Sequence, residues 1–356
     1  MLSDGTFRSG QLLPSERTLV ESLAIGRGTL RRALKQIEEQ GLIEREGNRL
    51  LVSARVIVNP RPWTADSIAV LLPPLPPNDV ANKHWYRYVT LGINEAIREA
   101  GYHAITLNAD RISEEDLRPL VASRPLGLIL LERTNGEATA RVAAIFKKAK
   151  IPVVAYGDDP QLAGIDRIVS DHEYGCYSIT QLLLKRKRRP IHLWADQGQT
   201  WWLAARTRGY MRAMRQARRK PKSGIAIPPV CGPAQSQAQF DMIVRQSVGF
   251  LVEALQGKDP VDALICATDR DAIYVAAAVK LLGLTPGRDV IVTGYDNYWS
   301  RCEETNFTTA RPDITADKHN EVAGRSMLEL LLRRIKAVST PGVFVCRNKP
   351  ELVITS

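Results

Sequence analysis

The chain has 356 residues, too many for one ordinary domain, and a formal net charge of +11, which suits a polyanionic partner. No apolar run is long enough to span a bilayer, and the first residues lack the features of a secretion signal. We therefore expect a cytoplasmic protein without a membrane partner. The five scattered cysteines form no C-x-x-C pair, which favours reduced thiols over disulfides or zinc.

The positive charge is not concentrated at the N-terminus. Residues 1–61 carry ten Lys/Arg and seven Asp/Glu, a difference of only +3. Much of the remaining excess lies in two basic runs, residues 185–189 and 215–222. Such runs are typical of solvated helix ends or loops, and a contact with DNA is the alternative.

A short helix, a tight turn and a longer helix come first in the chain. Ser15 is a good N-cap, because its hydroxyl can accept a hydrogen bond from the first helical turn. Leu19 and Leu23 lie four residues apart and should form one apolar face. After the turn, the second helix should begin at about Arg27 and end near Gly41, a plausible C′ glycine.

The second helix pairs an apolar stripe with a cationic outer face. Its buried positions should be Leu30, Ala33, Leu34 and Ile37, and the residues pointing outward are Gly28, Arg31, Arg32 and Lys35. Residues 42–45 and 50–52 can pair as strands around Gly47 and Asn48, which gives a hairpin wing. A helix placed in this way can enter the major groove of DNA. The alternative is an ordinary amphipathic hairpin with a solvated basic face.

Residues 13–17 (LPSER), 27–34 (RGTLRRAL) and 41–43 (GLI) resemble the winged helix-turn-helix of the GntR family. The resemblance implies that Arg17, Arg27, Thr29 and Arg31 contact DNA. Arg27 and Arg31 would donate to guanine or phosphate, and Arg17 and Thr29 would hold the DNA backbone. The outer face and the wing tip complete the candidate DNA-binding set with Gly28, Arg32, Lys35, Asn48 and Arg49.

Three features depart from the GntR pattern. Gly26 replaces a serine cap, Arg49 replaces the second wing glycine, and the family's first helix has no counterpart in this sequence. Large aliphatic side chains left without that helix would forfeit roughly 1.5–3 kcal/mol each. We therefore expect either a start site upstream of Met1 or a weakly stable DNA-binding domain at residues 1–53.

Residues 54–66 contain two prolines and little periodicity, which predicts a linker. From Ser67 onward, short apolar runs alternate with helical patterns, which is typical of a parallel sheet covered by helices on both faces. The predicted strands are SIAVLL, YHAITLN, LGLILL, PVVAY, PIHLWA, DALICA and DVIVTGY. Residues 67–356 exceed what one sheet needs, so we expect two lobes.

This second part resembles the LacI/GalR regulatory core, which is akin to periplasmic sugar-binding proteins. The motifs that carry the resemblance are VSD (169–171), RTRGY (206–210), ATD (267–269), VTGYD (292–296) and FTT (307–309). It implies three chain crossings between lobes, expected near Gly164, Asp296 and Asp317, and dimerisation through this part. The predicted fold is therefore α/β, a small winged helix-turn-helix followed by a two-lobed domain with parallel sheets, as in arabinose-repressor-like hybrids.

By the same resemblance, Arg206 and Asp269 are ligand contacts. An arginine and a carboxylate facing each other across a cleft can hold sugar hydroxyls through charge-assisted hydrogen bonds. The alternatives are that Asp269 only caps a helix and that Arg206 lies on the surface. Asp296 either lines the cleft or serves the hinge.

Aromatic residues supply further candidates, because their rings can stack on sugar faces. Trp201 and Trp202 open one helix, and Trp85, Tyr86 and Tyr88 follow the first strand of the second part. Of these, Trp201, Trp202 and Tyr86 complete the candidate ligand-binding set. Neighbouring tryptophans on a helix face different directions, so at most one should point into the cleft. Core packing is the alternative for both groups.

No phosphate loop, nucleophile elbow or metal-binding histidine spacing is present, so we expect no catalytic residue, cofactor or metal. The sequence predicts a dimeric transcriptional repressor of a double-stranded DNA operator, controlled by a small carbohydrate effector. A solute-binding module without DNA function and a sugar-modifying enzyme are the alternatives. Two substitutions should separate the two parts, because Arg31→Ala should weaken operator binding and Asp269→Ala should abolish the effector response.

Overall fold

A computed structural model describes residues 10–47, 49–53, 66–72, 84–108, 112–131, 137–196, 200–228, 232–337 and 341–355. Asn48 and all of the predicted linker except Asp66 lie outside the described residues. The chain divides into two compact units, Met1–Ser67 with Arg118–Pro125, and Ile68–Leu117 with Leu126–Ser356. Below, residues 10–53 are called the head and the second unit is called the two-lobed unit.

The head contains the predicted helix-turn-helix and wing. Helix α1 spans Glu16–Leu23, α2 spans Arg27–Glu39, and strands β1 (Ile43–Glu46) and β2 (Arg49–Val52) pair in antiparallel fashion. The Ser15 hydroxyl accepts from the Thr18 N–H at 3.2 Å, which begins α1 as predicted. Ala24 ends that helix in the left-handed region at φ +50°.

The apolar core of the head differs from the predicted one. Leu19, Leu30, Leu34 and Ile43 are buried, whereas Leu23, expected on the same apolar face as Leu19, is 37% exposed. Ala33 and Ile37, predicted to be buried, are only partly buried. The segment before α1 runs as extended chain along β2, where the Leu13 N–H donates to the Leu50 carbonyl at 2.8 Å. That segment packs Leu13, rather than Leu23, against the core.

The two-lobed unit alternates strands and helices. Its strands are β3 (Ser67–Leu72), β4 (His103–Asn108), β5 (Gly127–Leu131), β6 (Val153–Tyr156), β7 (Asp166–Ser170), β8 (Pro190–His192), β9 (Ala263–Ile265), β10 (Ile291–Thr293), β11 (Ile314–Asp317), β12 (Val345–Asn348) and β13 (Glu351–Ile354). Its helices are α3 (His84–Glu99), α4 (Glu114–Ala122), α5 (Glu137–Lys148), α6 (His172–Lys185), α7 (Trp201–Gln216), α8 (Gln237–Gln256), α9 (Asp269–Leu281) and α10 (Asn320–Lys336). None of the described helices is long and apolar enough to cross a bilayer.

The strands form two sheets, one for each lobe. The six-stranded sheet has the order β12-β7-β6-β5-β3-β4, and the five-stranded sheet has the order β13-β11-β10-β9-β8. The pairs β3–β5, β5–β6, β6–β7 and β7–β12 are parallel, as are β8–β9, β9–β10 and β10–β11. The edge strand β13 runs antiparallel to β11. The predicted two-lobed α/β fold with parallel sheets is therefore confirmed.

Within the described residues, the chain passes between the lobes three times. It leaves the six-stranded lobe between β7 and α6, returns between β11 and α10, and crosses again between β12 and β13. The predicted crossing near Asp317 is confirmed. Those near Gly164 and Asp296 are wrong, because Gly164 precedes β7 within the six-stranded lobe and Asp296 follows β10 within the five-stranded lobe.

One helix pair in each lobe crosses at a glycine. A Cβ on Gly209 of α7 would lie 2.2 Å from the Glu173 carbonyl oxygen of α6, and a Cβ on Gly324 of α10 would lie 2.1 Å from the Val89 carbonyl oxygen of α3. Only glycine permits these approaches. The α6–α7 crossing brings the first turn of α6 to the middle of α7, and this contact builds the site described next.

Candidate functional site

The outer face of α2 is cationic and open to solvent. Arg27, Arg31 and Lys35 follow at four-residue intervals and therefore share one side of the helix. All the described members of the candidate DNA-binding set are exposed: Arg17, Arg27, Gly28, Thr29, Arg31, Arg32, Lys35 and Arg49. Asn48 lies outside the described residues. Side chains must be exposed in this way to contact phosphates or base edges.

Arg31 is engaged in a contact that the sequence did not predict. Its Nε lies 2.9 Å from Oε2 of Glu16, in the first turn of α1. Both side chains are well exposed, so the ion pair is weak, and a DNA phosphate can replace Glu16 at small cost. The pair therefore holds Arg31 toward α1 in the free protein.

We expect Glu16→Gln to raise operator affinity about threefold, because the substitution releases Arg31 and removes a negative charge near DNA. Fluorescence anisotropy with labelled operator DNA at fixed salt measures this change. Glu39→Gln, which removes a carboxylate 3.9 Å from Lys35 at the far end of α2, is the matched control and should have a smaller effect. A loss of affinity in Glu16→Gln would contradict the interpretation.

In the two-lobed unit, polar and aromatic side chains gather where strands of both sheets end. Ligands in parallel α/β folds bind at this edge. Tyr156 ends β6 of the six-stranded lobe. The five-stranded lobe contributes His172, the first residue of α6, together with Asp269 after β9, Asp296 after β10 and Lys318 after β11.

Arg206 of α7 lies at the centre of this cluster and is buried, so the surface alternative does not hold. Its Nε and Nη2 lie 3.3 and 3.2 Å from Nδ1 of His172, and its Nη1 donates to the Ala267 carbonyl at 2.5 Å. The guanidinium carbon lies 3.4 Å from the centre of the Tyr295 ring and 4.7 Å from that of Trp202. Among the described residues no carboxylate pairs with it.

His172 is held as a neutral hydrogen-bond acceptor. Burial lowers its pKa well below the usual value, and the charges of Arg206 and Lys318 lower it further. The imidazole centre lies 5.4 Å from the ring of Trp201 and 6.2 Å from that of Trp202. Both indole rings of the first turn of α7 therefore lie near the same imidazole.

Asp269 is completely buried and holds the neighbouring backbone in place through hydrogen bonds. Its Oδ2 accepts from the N–H groups of Tyr298 and Trp299 at 2.6 and 3.0 Å, and its Oδ1 accepts from the Thr315 hydroxyl at 2.6 Å. Thr268 caps α9, so the capping alternative for Asp269 is wrong. Asp269 and Arg206 belong to the same lobe, so they do not face each other across the cleft as expected.

Burial raises the pKa of Asp269 from 3.8 to about 7. Because the folded value lies above the unfolded one, this group stabilises the fold at low pH, and the stability is lost as pH rises through about 7. We expect its contribution to the free energy of unfolding to fall by about 2 kcal/mol between about pH 5.5 and 7.5. Urea unfolding at the two pH values, compared with Asp269→Asn, measures it, and identical pH profiles would contradict the assignment.

Asp296 and Lys318 form a buried ion pair, with Nζ 2.6 Å from Oδ1. Asp296 has φ +92°, a backbone conformation that costs non-glycine residues of order 1–3 kcal/mol. Lys318 Nζ also lies 5.3 Å from the ring centre of Trp85 in the six-stranded lobe. Asp296 therefore belongs to the cluster, and its partner reaches the opposite lobe.

The aromatic residue at the site from α3 is Trp85 rather than the predicted Tyr86. Tyr86 is buried in the core of the six-stranded lobe, and burial raises its pKa to about 12. Trp85 instead stacks on Tyr156, with ring centres 5.6 Å apart. Adjacent residues on a helix point in different directions, and the hydrophobic pattern did not decide which one faces the core.

Four members of the cluster were not predicted from the sequence: Tyr156, His172, Tyr295 and Lys318. His172 directly follows the VSD motif and Tyr295 lies within VTGYD, so both motifs were an available signal. The described residues contain no group of three or more His, Cys, Asp or Glu side chains that could hold a metal. The cluster can therefore contact a ligand through hydrogen bonds, charged groups and the faces of aromatic rings.

The fold and this inter-lobe cluster define the class of periplasmic-binding-type sensors. Residues 65–344 match the family model "Periplasmic binding proteins and sugar binding domain of LacI family", and residues 1–49 match "Bacterial regulatory proteins, gntR family". The first match covers most of the chain, so the chain belongs to the LacI-type periplasmic-binding family, with a GntR-type head. It is a transcriptional regulator and not an enzyme.

Individual relatives agree with this assignment. The arabinose metabolism transcriptional repressor of Geobacillus stearothermophilus is 20% identical over 98% of this chain and 92% of its own length. The transcriptional repressor PurR of Glaesserella parasuis serovar 5 is 25% identical over 76% of this chain and 77% of its own.

Solved structures share the fold. A LacI-family regulatory protein from Chloroflexus aggregans has a TM-score of 0.63 at 19% identity, over 82% of this chain and 97% of its own. The transcriptional regulator CelR in complex with cellobiose has a TM-score of 0.58 at 20% identity, over 96% of this chain and 99% of its own.

Proposed function

We propose that this protein is a repressor that binds a DNA operator through the outer face of α2 and its wing, and that a small carbohydrate bound between the two lobes sets its operator affinity. The observation that carries the proposal is the contact between lobes at the strand ends. Trp85 and Tyr156 of the six-stranded lobe meet Lys318 and the Arg206 cluster of the other. A ligand at this place can favour one lobe arrangement.

The ligand contacts we propose are Arg206, Asp296, Trp201 and Trp202 from the earlier set, together with His172, Lys318, Trp85 and Tyr156. Asp269 is not among the proposed contacts, because its carboxylate holds the segment that begins at Tyr298. A second contact between lobes lies nearby, with the Arg301 guanidinium carbon 4.7 Å from the ring centre of Tyr88 on α3. Both of these contacts between the lobes place a cationic side chain over an aromatic ring.

We propose a homodimer as the form that binds DNA, with two heads on a two-part operator. Leu91 on α3 and Val322 on α10 support an interface on this helix pair, since they are 43% and 56% exposed. The proposed boundaries are a head at residues 1–53, a linker at 54–66 and a sensor at 67–356. We expect the protein to act in the cytoplasm, where the DNA is.

The test is a gel shift of the full chain with DNA that flanks its gene, with and without a panel of sugars. Specific, salt-sensitive retention that one sugar changes supports the proposal. Sugar binding without any DNA retention would instead identify a solute-binding module. Retention that no small molecule changes would contradict the sensor role.

A further inference from the structure

Among the described residues, one positive charge of the cluster between the lobes has no counter-charge. Lys318 is balanced by Asp296 at 2.6 Å, and Asp269 is satisfied by two backbone N–H groups and the Thr315 hydroxyl. Arg206 has only neutral partners among the described residues: His172, the Ala267 carbonyl and two aromatic rings. A buried charge left unpaired is costly, so it points to an anion that is not part of the chain.

The hydrogen-bond inventory of the cluster is dominated by donors. A guanidinium has five N–H groups, and the contacts of Arg206 use three, which leaves one on Nη1 and one on Nη2. His172 accepts at Nδ1, so its proton is on Nε2, for which the described residues offer no partner. The buried Tyr156 hydroxyl also lacks a partner among the described residues.

A ligand group that only accepts hydrogen bonds matches these donors. A carboxylate is such a group, and it takes two parallel N–H bonds from a guanidinium. Neutral sugar hydroxyls both donate and accept, so they satisfy the donors without balancing the charge. Phosphate shares the required chemistry with carboxylate.

We infer that the effector is an acidic carbohydrate whose carboxylate or phosphate binds the free N–H edge of Arg206, beside His172 and Tyr156. This inference rests on the proposed function and specifies the class of its ligand. Burial lowers the pKa values of His172 and Lys318. The Arg206 charge lowers both further, while the Asp296 carboxylate raises the pKa of Lys318.

The first test compares matched ligands on the unmodified full chain. Isothermal titration calorimetry is run with common aldopentoses and aldohexoses, each beside its aldonate, its uronate and its terminal phosphate. We expect at least one acidic member to bind tenfold or more tightly than its neutral parent. The carboxylate and phosphate arms show which acid is recognised.

The second test removes the charge. Arg206→Gln should weaken binding of the selected acid about 30-fold or more and bring its affinity close to that of the neutral parent. Arg208→Gln is the matched control, because Arg208 lies two residues further along α7, is exposed and pairs with Glu173. The control should bind the acid as the unmodified chain does.

The outcomes separate this inference from the proposed function. The acidic effector is overturned if neutral sugars bind as tightly as their acids, or if Arg206→Gln still prefers the acid to its neutral parent. Either result leaves the proposal of a sugar-responsive repressor in place. A panel in which nothing binds overturns the acidic effector and also contradicts the sensor role, while operator binding remains measurable by gel shift. If Arg206→Gln does not fold, the comparison of matched ligands on the unmodified chain decides alone.

Discussion

Replacing Asp269 with alanine should lower the free energy of unfolding of the two-lobed unit by about 3–5 kcal/mol, because it leaves buried donors without their acceptor. These donors are the N–H groups of Tyr298 and Trp299 and the hydroxyl of Thr315. Chemical denaturation followed by circular dichroism measures the loss. The effector response should disappear together with the fold around β10 and β11, and not through loss of a direct ligand contact.

Asp269→Asn is the matched control. Its amide oxygen can accept from the two backbone N–H groups, and its NH2 can donate to the Thr315 oxygen, since a hydroxyl both donates and accepts. We expect this variant to keep most of the stability and the effector response. If Asp269→Asn folds normally but loses effector binding, Asp269 is a direct ligand contact and the structural role is wrong.

Arg31→Ala should weaken operator binding about tenfold to a hundredfold, as expected for one lost base or phosphate contact of an arginine. The affinity of the effector should not change, since Arg31 lies in the head. Anisotropy titrations at several salt concentrations measure both the affinity and its salt slope, which should become shallower if the lost contact is to a phosphate.

Arg45→Ala is the control for this change. Arg45 is also an exposed arginine of the head, but it lies on β1 and pairs with Glu38 at 3.3 Å. The Arg45→Ala substitution removes the same charge from a position outside the proposed DNA-binding set, so its effect on operator affinity should be small. Equal losses for Arg31→Ala and Arg45→Ala would show that only net charge matters and that α2 does not enter a groove.

The sequence was sufficient for the head because its signals are local. A capping serine, leucines at helical spacing and a glycine at the hairpin each specify structure within a few residues, and α2 begins at the predicted Arg27. The exposure of Leu23 could not be derived from its spacing to Leu19, because it depends on whether the preceding chain forms a helix or pairs with β2. Which segment pairs with an edge strand is decided by tertiary contacts and not by local sequence.

In the two-lobed unit, long apolar runs were recognised and short or weakly patterned elements were not. Strands β7, β11, β12 and β13 were missed, and so was α10, although its leucines follow a helical spacing. These elements carry the chain between the lobes, so two of the three crossings were misplaced. Which sheet a short strand joins is decided by contacts far along the chain, and spacing does not report them.

The site shows the same limit. Arg206 and Asp296 could be named from motifs, but the motifs did not reveal that Arg206 stacks on Tyr295 or that Asp296 pairs with Lys318. Choosing Tyr86 over Trp85 failed because both are large aromatic residues at the start of α3. The packing of α3 against α10 turns one into the core and leaves the other beside Tyr156.

The most direct test of the central idea is operator affinity measured by anisotropy as a function of the ligand identified by calorimetry. If the two sites are coupled, the ligand should change operator affinity about fivefold or more. Operator DNA should then change the affinity of the protein for the ligand by the same factor. We predict equal factors in the unmodified chain and no change of operator affinity by the ligand in Arg206→Gln. A ligand that binds the two-lobed unit tightly and leaves operator affinity unchanged would contradict the account.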